Sequence, residues 1–187
     1  VSGGGSADSN ILWSRTDVIS IAANSGNNII GALLNITMPH AWKFVFEINP
    51  DDSTILGQCV NLYGNNSQTN NGRYNASNND NLFLQLSYQS GPPEYFYFQH
   101  AGAYAATTVD PGPIPNNVWS RFEMALSNNV YTAKLNDAVI GSFDAPSTHV
   151  FTDLQDVVLK GYSSGYDIRN MILTDETNGE PAPLPIL

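Results

Sequence analysis

Charged side chains are scarce in this 187-residue chain: Asp, Glu, Lys and Arg make up 13% of it, and only seven residues are basic. Proteins bind nucleic-acid phosphates through clustered Lys and Arg, so seven scattered basic residues and a net charge of −10 exclude a nucleic-acid partner. The same charge disfavours binding to an anionic membrane surface. No apolar run approaches the roughly 20 residues that a membrane-spanning helix needs, so we predict no membrane insertion.

Cysteine and helical periodicity are nearly absent as well. The single Cys59 excludes an internal disulfide and leaves the cellular compartment open. Cys59 alternates with Gln58 and Val60 in an apolar run, which predicts a buried structural thiol. Because no stretch keeps a 3.6-residue hydrophobic repeat, we expect little helix.

The residues that are abundant favour β-structure. Hydrophobic residues make up 42% of the chain and aromatic residues 11%, while Asn, Ser, Thr, Gln and Gly supply most of the polarity. This balance is typical of a β-sandwich with neutral polar loops, whereas helical bundles usually expose Glu and Lys. The chain is long enough for one domain with a substantial core.

Alternation of apolar and polar residues predicts a series of short strands. They cover residues 11–13, 18–22, 29–34, 42–48, 56–63, 82–88, 94–100, 118–126, 130–135, 138–143, 157–159 and 166–173. Asn128-Asn129 and Asn136-Asp137 separate three of the runs and tolerate the left-handed backbone of a tight hairpin. We therefore predict that the runs from residue 118 onward form one antiparallel sheet of local hairpins.

Composition divides the chain into three parts. Residues 1–10 are predicted to be a flexible lead-in, 11–175 a β-sandwich recognition domain, and 176–187 a Pro-rich tail or linker. Three N-glycosylation sequons begin at Asn35, Asn65 and Asn75, and they support an extracellular, secreted or surface location. Whether the sequons are glycosylated is left open.

The strands 82–88 and 94–100 provide the candidate binding face. Alternation puts Leu82, Leu84 and Leu86 on the core side, and it puts Gln85 on the other side, beside Tyr95, Tyr97 and Gln99. Sugar rings stack their C–H faces on aromatic rings and pair their hydroxyls with amides, so this uncharged surface suits a glycan. The alternative is that a second layer covers this face and that the tyrosines pack inside it.

The polar segment 64–81 lies between two predicted strands and is either an unstructured surface loop or a binding loop. Its only bulky side chains are Arg73 and Tyr74. We predict that these two residues join Gln85, Tyr95, Tyr97 and Gln99 in contacting the ligand. The guanidinium would bind hydroxyls or a sialic-type carboxylate.

The segments NNVWSRFEMALSNNVYTAKLNDAVIGSFDAP (116–146) and LQDVVLKGYSSGYDIRNMILTD (154–175) resemble the C-terminal half of galectins and of the wider concanavalin A-like sandwich superfamily. The resemblance covers about a third of the chain and implies an all-β, antiparallel two-sheet jelly roll. It does not imply a ligand. The His-Asn-Arg and Asn-Trp-Glu-Arg set with which galectins bind galactose is absent, as it is from galectin-like viral spike heads.

The same superfamily contains glycoside hydrolases and polysaccharide lyases, so catalysis has to be weighed. Retaining hydrolysis needs two carboxylates about 5–5.5 Å apart. Glu47 and Glu123 are the only strand-embedded carboxylates predicted to face away from the core, and no sequence pattern pairs them. The scattered His40, His100 and His149 suggest neither a triad nor zinc. We predict that the chain is not an enzyme.

No cofactor is predicted. Calcium is the one metal with candidate ligands, since Asp51, Asp52 and Asp80 could supply oxygen atoms together with loop carbonyls, but no EF-hand spacing occurs.

The sequence thus predicts a non-catalytic, lectin-like recognition module for a glycan or a cell-surface glycoprotein, for example the attachment domain of a viral spike head. The alternative is a structural or protein-binding head, which could be oligomeric.

Overall fold

The computed structural model describes residues 10–51, 55–66, 73–74, 82–89, 95–99, 114–145 and 151–179. Within these ranges thirteen strands form two antiparallel sheets, which confirms the predicted two-sheet sandwich. No helix in the described part is long and apolar enough to cross a membrane.

Sheet A has the strand order β1-β13-β5-β9-β10-β11, with β2 also paired to β13. Its strands are β1 Ile11–Arg15, β2 Ile19–Ile21, β5 Trp42–Pro50, β9 Ser120–Ser127, β10 Val130–Leu135, β11 Ala138–Asp144 and β13 Tyr166–Asp175.

Sheet B has the order β3-β12-β6-β7-β8, with β4 also paired to β12. Its strands are β3 Asn27–Gly31, β4 Ile36–Thr37, β6 Ile55–Asn66, β7 Leu82–Gln89, β8 Tyr95–Gln99 and β12 Phe151–Lys160.

The core lies between the sheets, and β5 shows why. Trp42, Phe44, Phe46 and Ile48 alternate along this strand and are at most 1% exposed, while the residues between them lie on the outer face of sheet A. Phe46 stacks on Phe122 of β9 with ring centroids 5.5 Å apart. Burial of these large apolar side chains is the main favourable contribution to folding.

The two predicted hairpins are present. Asn128 and Asn129 join β9 to β10 with φ of 49° and 61°, and Asn136 and Asp137 join β10 to β11 with φ of 47° and 67°. Two consecutive left-handed residues match the twist of the flanking strands, and Asn and Asp tolerate that conformation. The sequence signal for these turns is therefore confirmed.

The prediction of one sheet from residue 118 onward is wrong for the run 157–159. That run is part of β12, which lies in sheet B between β3 and β6, while β13 returns to sheet A. Pairing such as Val157 with Leu62 joins residues far apart in the chain. Local alternation carries no information about such partners, whereas a hairpin turn does.

Smaller differences concern the ends of strands. β5 continues to Pro50, beyond the predicted end at residue 48, and β3 ends at Gly31 rather than at residue 34. The short β4 was not predicted. Cys59 is fully buried, as expected, and burial raises the pKa of its thiol to about 12. Residues 1–9 and 180–187, which make up most of the predicted lead-in and tail, lie outside the described residues. At the start of the predicted tail, the backbone N–H of Glu176 donates to Ala41 O at 3.1 Å.

Candidate functional site

A β-bulge in β12 turns an acidic side chain onto the outer face of sheet B. Leu154 and Val157 both lie in the core although they are three residues apart, which strict alternation forbids. The pairing of β12 with β6 shifts register between Leu154 and Asp156, and this bulge absorbs the extra residue. Asp156 and Val158 consequently face outward from the sheet.

The carboxylate of Asp156 connects two loops to the sheet. Asp156 Oδ2 accepts hydrogen bonds from Arg73 Nε at 2.7 Å and from the backbone N–H of Tyr74 at 2.8 Å. Asp156 Oδ1 accepts a hydrogen bond from the N–H of Leu33 at 3.2 Å. The Asp156 side chain is fully buried, whereas that of Arg73 is 40% exposed. We call Asp156, Arg73, Tyr74 and Leu33 the clasp.

Leu33 is held in an unusual backbone conformation. Its φ is 53°, in the left-handed region that a bulky residue rarely occupies, and its side chain is 60% exposed. Such backbone strain persists only where surrounding contacts maintain it, and it concentrates at binding sites. In this structure the hydrogen bond to Asp156 is such a contact.

Two groups of side chains extend the clasp along the sheet. Tyr74 packs edge-on against Tyr63 with ring centroids 5.0 Å apart, and Tyr63 forms a small buried cluster with Val158. Burial raises the pKa of Tyr63 to about 12, with a smaller contribution from Tyr74. In the next row Gln85 Nε2 donates to Asn61 Oδ1 at 2.6 Å, and Asn61 Nδ2 donates to Val158 O at 3.3 Å.

The structure places three of the predicted contact residues on this one face. Arg73 and Tyr74 are half-buried parts of the clasp. Gln85 is only 5% exposed and its amide is engaged by Asn61, so it supports the surface from below.

The other three predicted residues are located by their strand register. Gln99 pairs with Gln85, Tyr97 with Ser87, and Tyr95 with Gln89 across β7 and β8. On the other side of β7, Gln85 pairs with Asn61. Asn61, Gln85 and Gln99 therefore form one row across β6, β7 and β8. The side chains of Tyr95, Tyr97 and Gln99 lie outside the described residues, and their role as ligand contacts remains a prediction.

Sequence analysis missed Asp156, Asn61 and Leu33. Asp156 did leave a signal, because a carboxylate inside the apolar run Leu154–Leu159 needs a partner if the strand is buried. Asn61 within Cys59–Tyr63 is a similar case. No signal identifies Leu33, since its conformation depends on a partner more than a hundred residues away.

The outer face of sheet A holds a different arrangement. Glu47 and Glu123, which no sequence pattern paired, lie diagonally on neighbouring strands because Glu47 pairs with Arg121 and Val45 with Glu123. Glu47 Oε2 accepts from Arg169 Nε at 2.6 Å, and Glu123 Oε1 accepts from Lys134 Nζ at 2.9 Å.

A metal site is not apparent in the described ranges, where no three His, Cys, Asp or Glu side chains come together. Two of the suggested calcium ligands, Asp52 and Asp80, lie outside these ranges. The calcium hypothesis is therefore untested.

Comparison with known proteins finds structural relatives only. The chain matches no protein-family model and no curated protein sequence. The fold is similar to a Ruminococcus gnavus IT-sialidase CBM40 bound to α2,3-sialyllactose (TM-score 0.59, 12% identity, 87% of this chain and 91% of that one). It is also similar to the Emp47p carbohydrate recognition domain (TM-score 0.54, 12% identity, 91% and 99%). A third similar structure is the heptameric SAP-like pentraxin of Limulus polyphemus (TM-score 0.57, 12% identity, 84% and 76%).

At 12% identity these similarities establish the fold alone. They confirm the predicted resemblance at the level of the fold, which is the class of antiparallel two-sheet sandwiches. The class hosts several functions, so what this chain binds has to be argued from its own residues.

Proposed function

We propose that this chain is a non-catalytic carbohydrate-recognition module that binds a glycan on the outer face of sheet B. The observation that carries the proposal is the clasp. A fully buried carboxylate fixes Arg73 and Tyr74 over the sheet while the guanidinium of Arg73 remains 40% exposed. Fixing Arg73 and Tyr74 before the ligand arrives lowers the entropy lost on binding.

The clasp offers the chemistry that a sugar requires. The Arg73 guanidinium donates several hydrogen bonds in a planar fork, which suits vicinal hydroxyls or a carboxylate. The Tyr74 ring, already ordered against Tyr63, provides an apolar surface for the C–H face of a pyranose. In this proposal Tyr95, Tyr97 and Gln99 extend the same surface along β8, and the Asn61–Gln85 pair supports it.

The similar structures support a glycan as the kind of partner. One is described as bound to α2,3-sialyllactose and another as a carbohydrate recognition domain, and this chain covers 91% and 99% of their lengths. The similarity therefore extends over nearly the whole of each of these binding domains.

We further propose that the module acts at a cell or virion surface or as part of a secreted protein, for example as the attachment domain of a spike head that binds a cell-surface glycoprotein. The sequon residue Asn35 is exposed, with its side-chain amide donating to Leu33 O at 3.1 Å, so it is accessible to a glycosyltransferase. Asn65, by contrast, is half-buried in β6, and its amide reaches Asp153 at 3.5 Å.

A glycan array tests the proposal. We expect the wild-type chain to bind a defined group of glycans, and Tyr97→Ala to abolish that binding. Exposed Tyr162, which lies in the turn after β12, provides the control Tyr162→Ala, which should bind as the wild type does.

Two results would contradict the proposal. Silence on the array, together with a stable trimer in light scattering, would favour a structural or protein-binding head. Turnover of a polysaccharide that is lost in Glu47→Gln or Glu123→Gln would show that the chain is an enzyme.

A further inference from the structure

A groove lies on the opposite side of the molecule from the clasp, across β13, β5 and β9 on the outer face of sheet A. Its volume is about 370 Å³, at the low end of small-ligand sites, which span roughly 300–1,000 Å³. Its lining residues are Lys43, Val45, Glu47, Arg121, Asn170, Ile172 and Thr174. We propose that this groove is a second binding site, for one or two units of an uncharged saccharide, and this goes beyond the glycan site proposed on sheet B.

A bulge in β13 shapes the groove. The register of β13 against β5 shifts between Arg169 and Ile172, and Asn170 there adopts a φ of 52°. Bulges next to binding sites commonly redirect a side chain. Here the side chain of Asn170 reaches across to β5, where its Nδ2 donates to Glu47 Oε2 at 3.0 Å.

The contacts of Glu47 leave acceptors available. Arg169 Nε and Asn170 Nδ2 both bond to Oε2 of Glu47, and Arg169 is itself held 3.9 Å over the ring of Trp119. Among the described residues, no donor reaches Glu47 Oε1 or Asn170 Oδ1. A fixed carboxylate and a fixed amide oxygen on neighbouring strands suit two hydroxyl donors of one sugar ring.

The charges on this face favour an uncharged ligand. Lys43 pairs with Glu176 at 3.1 Å, Arg121 with Asp137 at 2.7 Å, and Lys134 with Glu123. Each cation is thus matched by a carboxylate, while the whole chain carries a net charge of −10. An anionic ligand would gain nothing here from net charge, whereas hydroxyls can both donate to carboxylates and accept from cations.

The floor of the groove provides an apolar surface. Val45 and Ile172 are neighbours across β5 and β13, and both are half-buried on the outer face. They form an apolar strip flanked by Glu47 and Thr174. The arrangement therefore offers apolar contact below and hydrogen bonds at the sides.

The test is a titration of the ¹⁵N-labelled chain with lactose, maltose and cellobiose at millimolar concentrations, and with sialyllactose as the anionic comparison, followed by amide chemical shifts. We expect at least one of these disaccharides to move the amides of Val45, Asn170 and Ile172 in a saturable way. Asn170→Gly keeps the left-handed backbone and removes the amide, so it should weaken this binding about fivefold to tenfold, as expected for one lost hydrogen bond.

Matched variants make the result specific. Asn128→Gly, at an exposed Asn with φ of 49°, should leave the affinity unchanged. Val45→Arg fills the groove and should abolish the shifts, while Val139→Arg, on the 61% exposed Val139 of the edge strand β11, should not.

Three results would overturn the proposal. They are no groove shifts with any of the three disaccharides, groove shifts with sialyllactose but not with the uncharged sugars, or equal affinities for Asn170→Gly and Asn128→Gly. Shifts confined to Arg73, Tyr74 and Gln85 would overturn this second site and leave the first intact. Shifts confined to the groove residues would overturn the site on sheet B and leave this second site intact.

Discussion

Replacing Asp156 by Asn tests whether the clasp contributes more to the stability of the fold than an ion pair on the surface does. The carboxylate uses Oδ2 for Arg73 and Tyr74 and Oδ1 for Leu33. An amide has a single oxygen, so in either orientation its NH₂ group faces at least one N–H donor. The better orientation gives up the 3.2 Å bond to Leu33 and keeps a neutral acceptor for the other two donors.

The magnitude follows from these contacts. Losing one buried hydrogen bond and weakening two charge-assisted ones costs about 2–4 kcal/mol. Removing one partner of a fully buried ion pair costs about 3–5 kcal/mol, but Arg73 is 40% exposed and regains water, so the lower range applies. We expect the free energy of unfolding to fall by about 2–4 kcal/mol with an unchanged denaturant slope.

Urea unfolding followed by tryptophan fluorescence measures this change. The matched control is Asp137→Asn, because Asp137 also pairs with an arginine at 2.7 Å but is 84% exposed, and it should stay within about 0.5 kcal/mol of wild type. A double-mutant cycle of Asp156→Asn with Arg73→Gln should give a coupling of about 1–3 kcal/mol. Equal effects of Asp156→Asn and Asp137→Asn, with no coupling to Arg73, would refute the reasoning.

Three further predictions concern the core, the thiol and the hairpins. Phe46→Ala should lower the free energy of unfolding by about 3–5 kcal/mol in urea, since Phe46 is fully buried against Phe122; a loss below about 1 kcal/mol would contradict the packing. Cys59 should resist iodoacetamide at pH 8 until the chain unfolds. Its pKa is raised from 9.0 to about 12, so its contribution to stability, complete below pH 9, should disappear as the pH rises towards 12, and Cys59→Ala should reduce that dependence, to which Tyr63 with its raised pKa also contributes. Asn129→Val should cost about 1–2 kcal/mol in the same assay and Asn129→Gly almost nothing, because φ is 61° there; equal losses would exclude the left-handed turn.

Sequence reasoning succeeded where the determinant is local. Neighbouring residues determine the alternation in β5 and the left-handed turns at Asn128-Asn129 and Asn136-Asp137, so these strands and turns were predictable. Period-2 alternation also predicted that Gln85 shares a face with Tyr95, Tyr97 and Gln99, while the register that pairs Gln85 with Gln99 comes from the structure.

The remainder depends on contacts between distant parts of the chain. The assignment of β12 to sheet B follows from its pairing with β6, and the outward turn of Asp156 follows from a bulge in that pairing. Glu47 and Glu123 share a face only because β5 lies beside β9. Arg73 and Tyr74 were predicted as ligand contacts from their bulk alone, and their pairing with the Asp156 carboxylate could be found only in three dimensions.

Titration calorimetry with the strongest glycan from the array tests the central claim most directly, by comparing Tyr74→Ala with Tyr162→Ala. Tyr74→Ala keeps the backbone N–H that binds Asp156 and removes only the ring, so the clasp stays in place. If the outer face of sheet B recognises the sugar, Tyr74→Ala should weaken binding about tenfold, in keeping with the loss of one aromatic contact, while Tyr162→Ala binds as the wild type does. Unchanged affinity in Tyr74→Ala would show that the glycan is bound elsewhere.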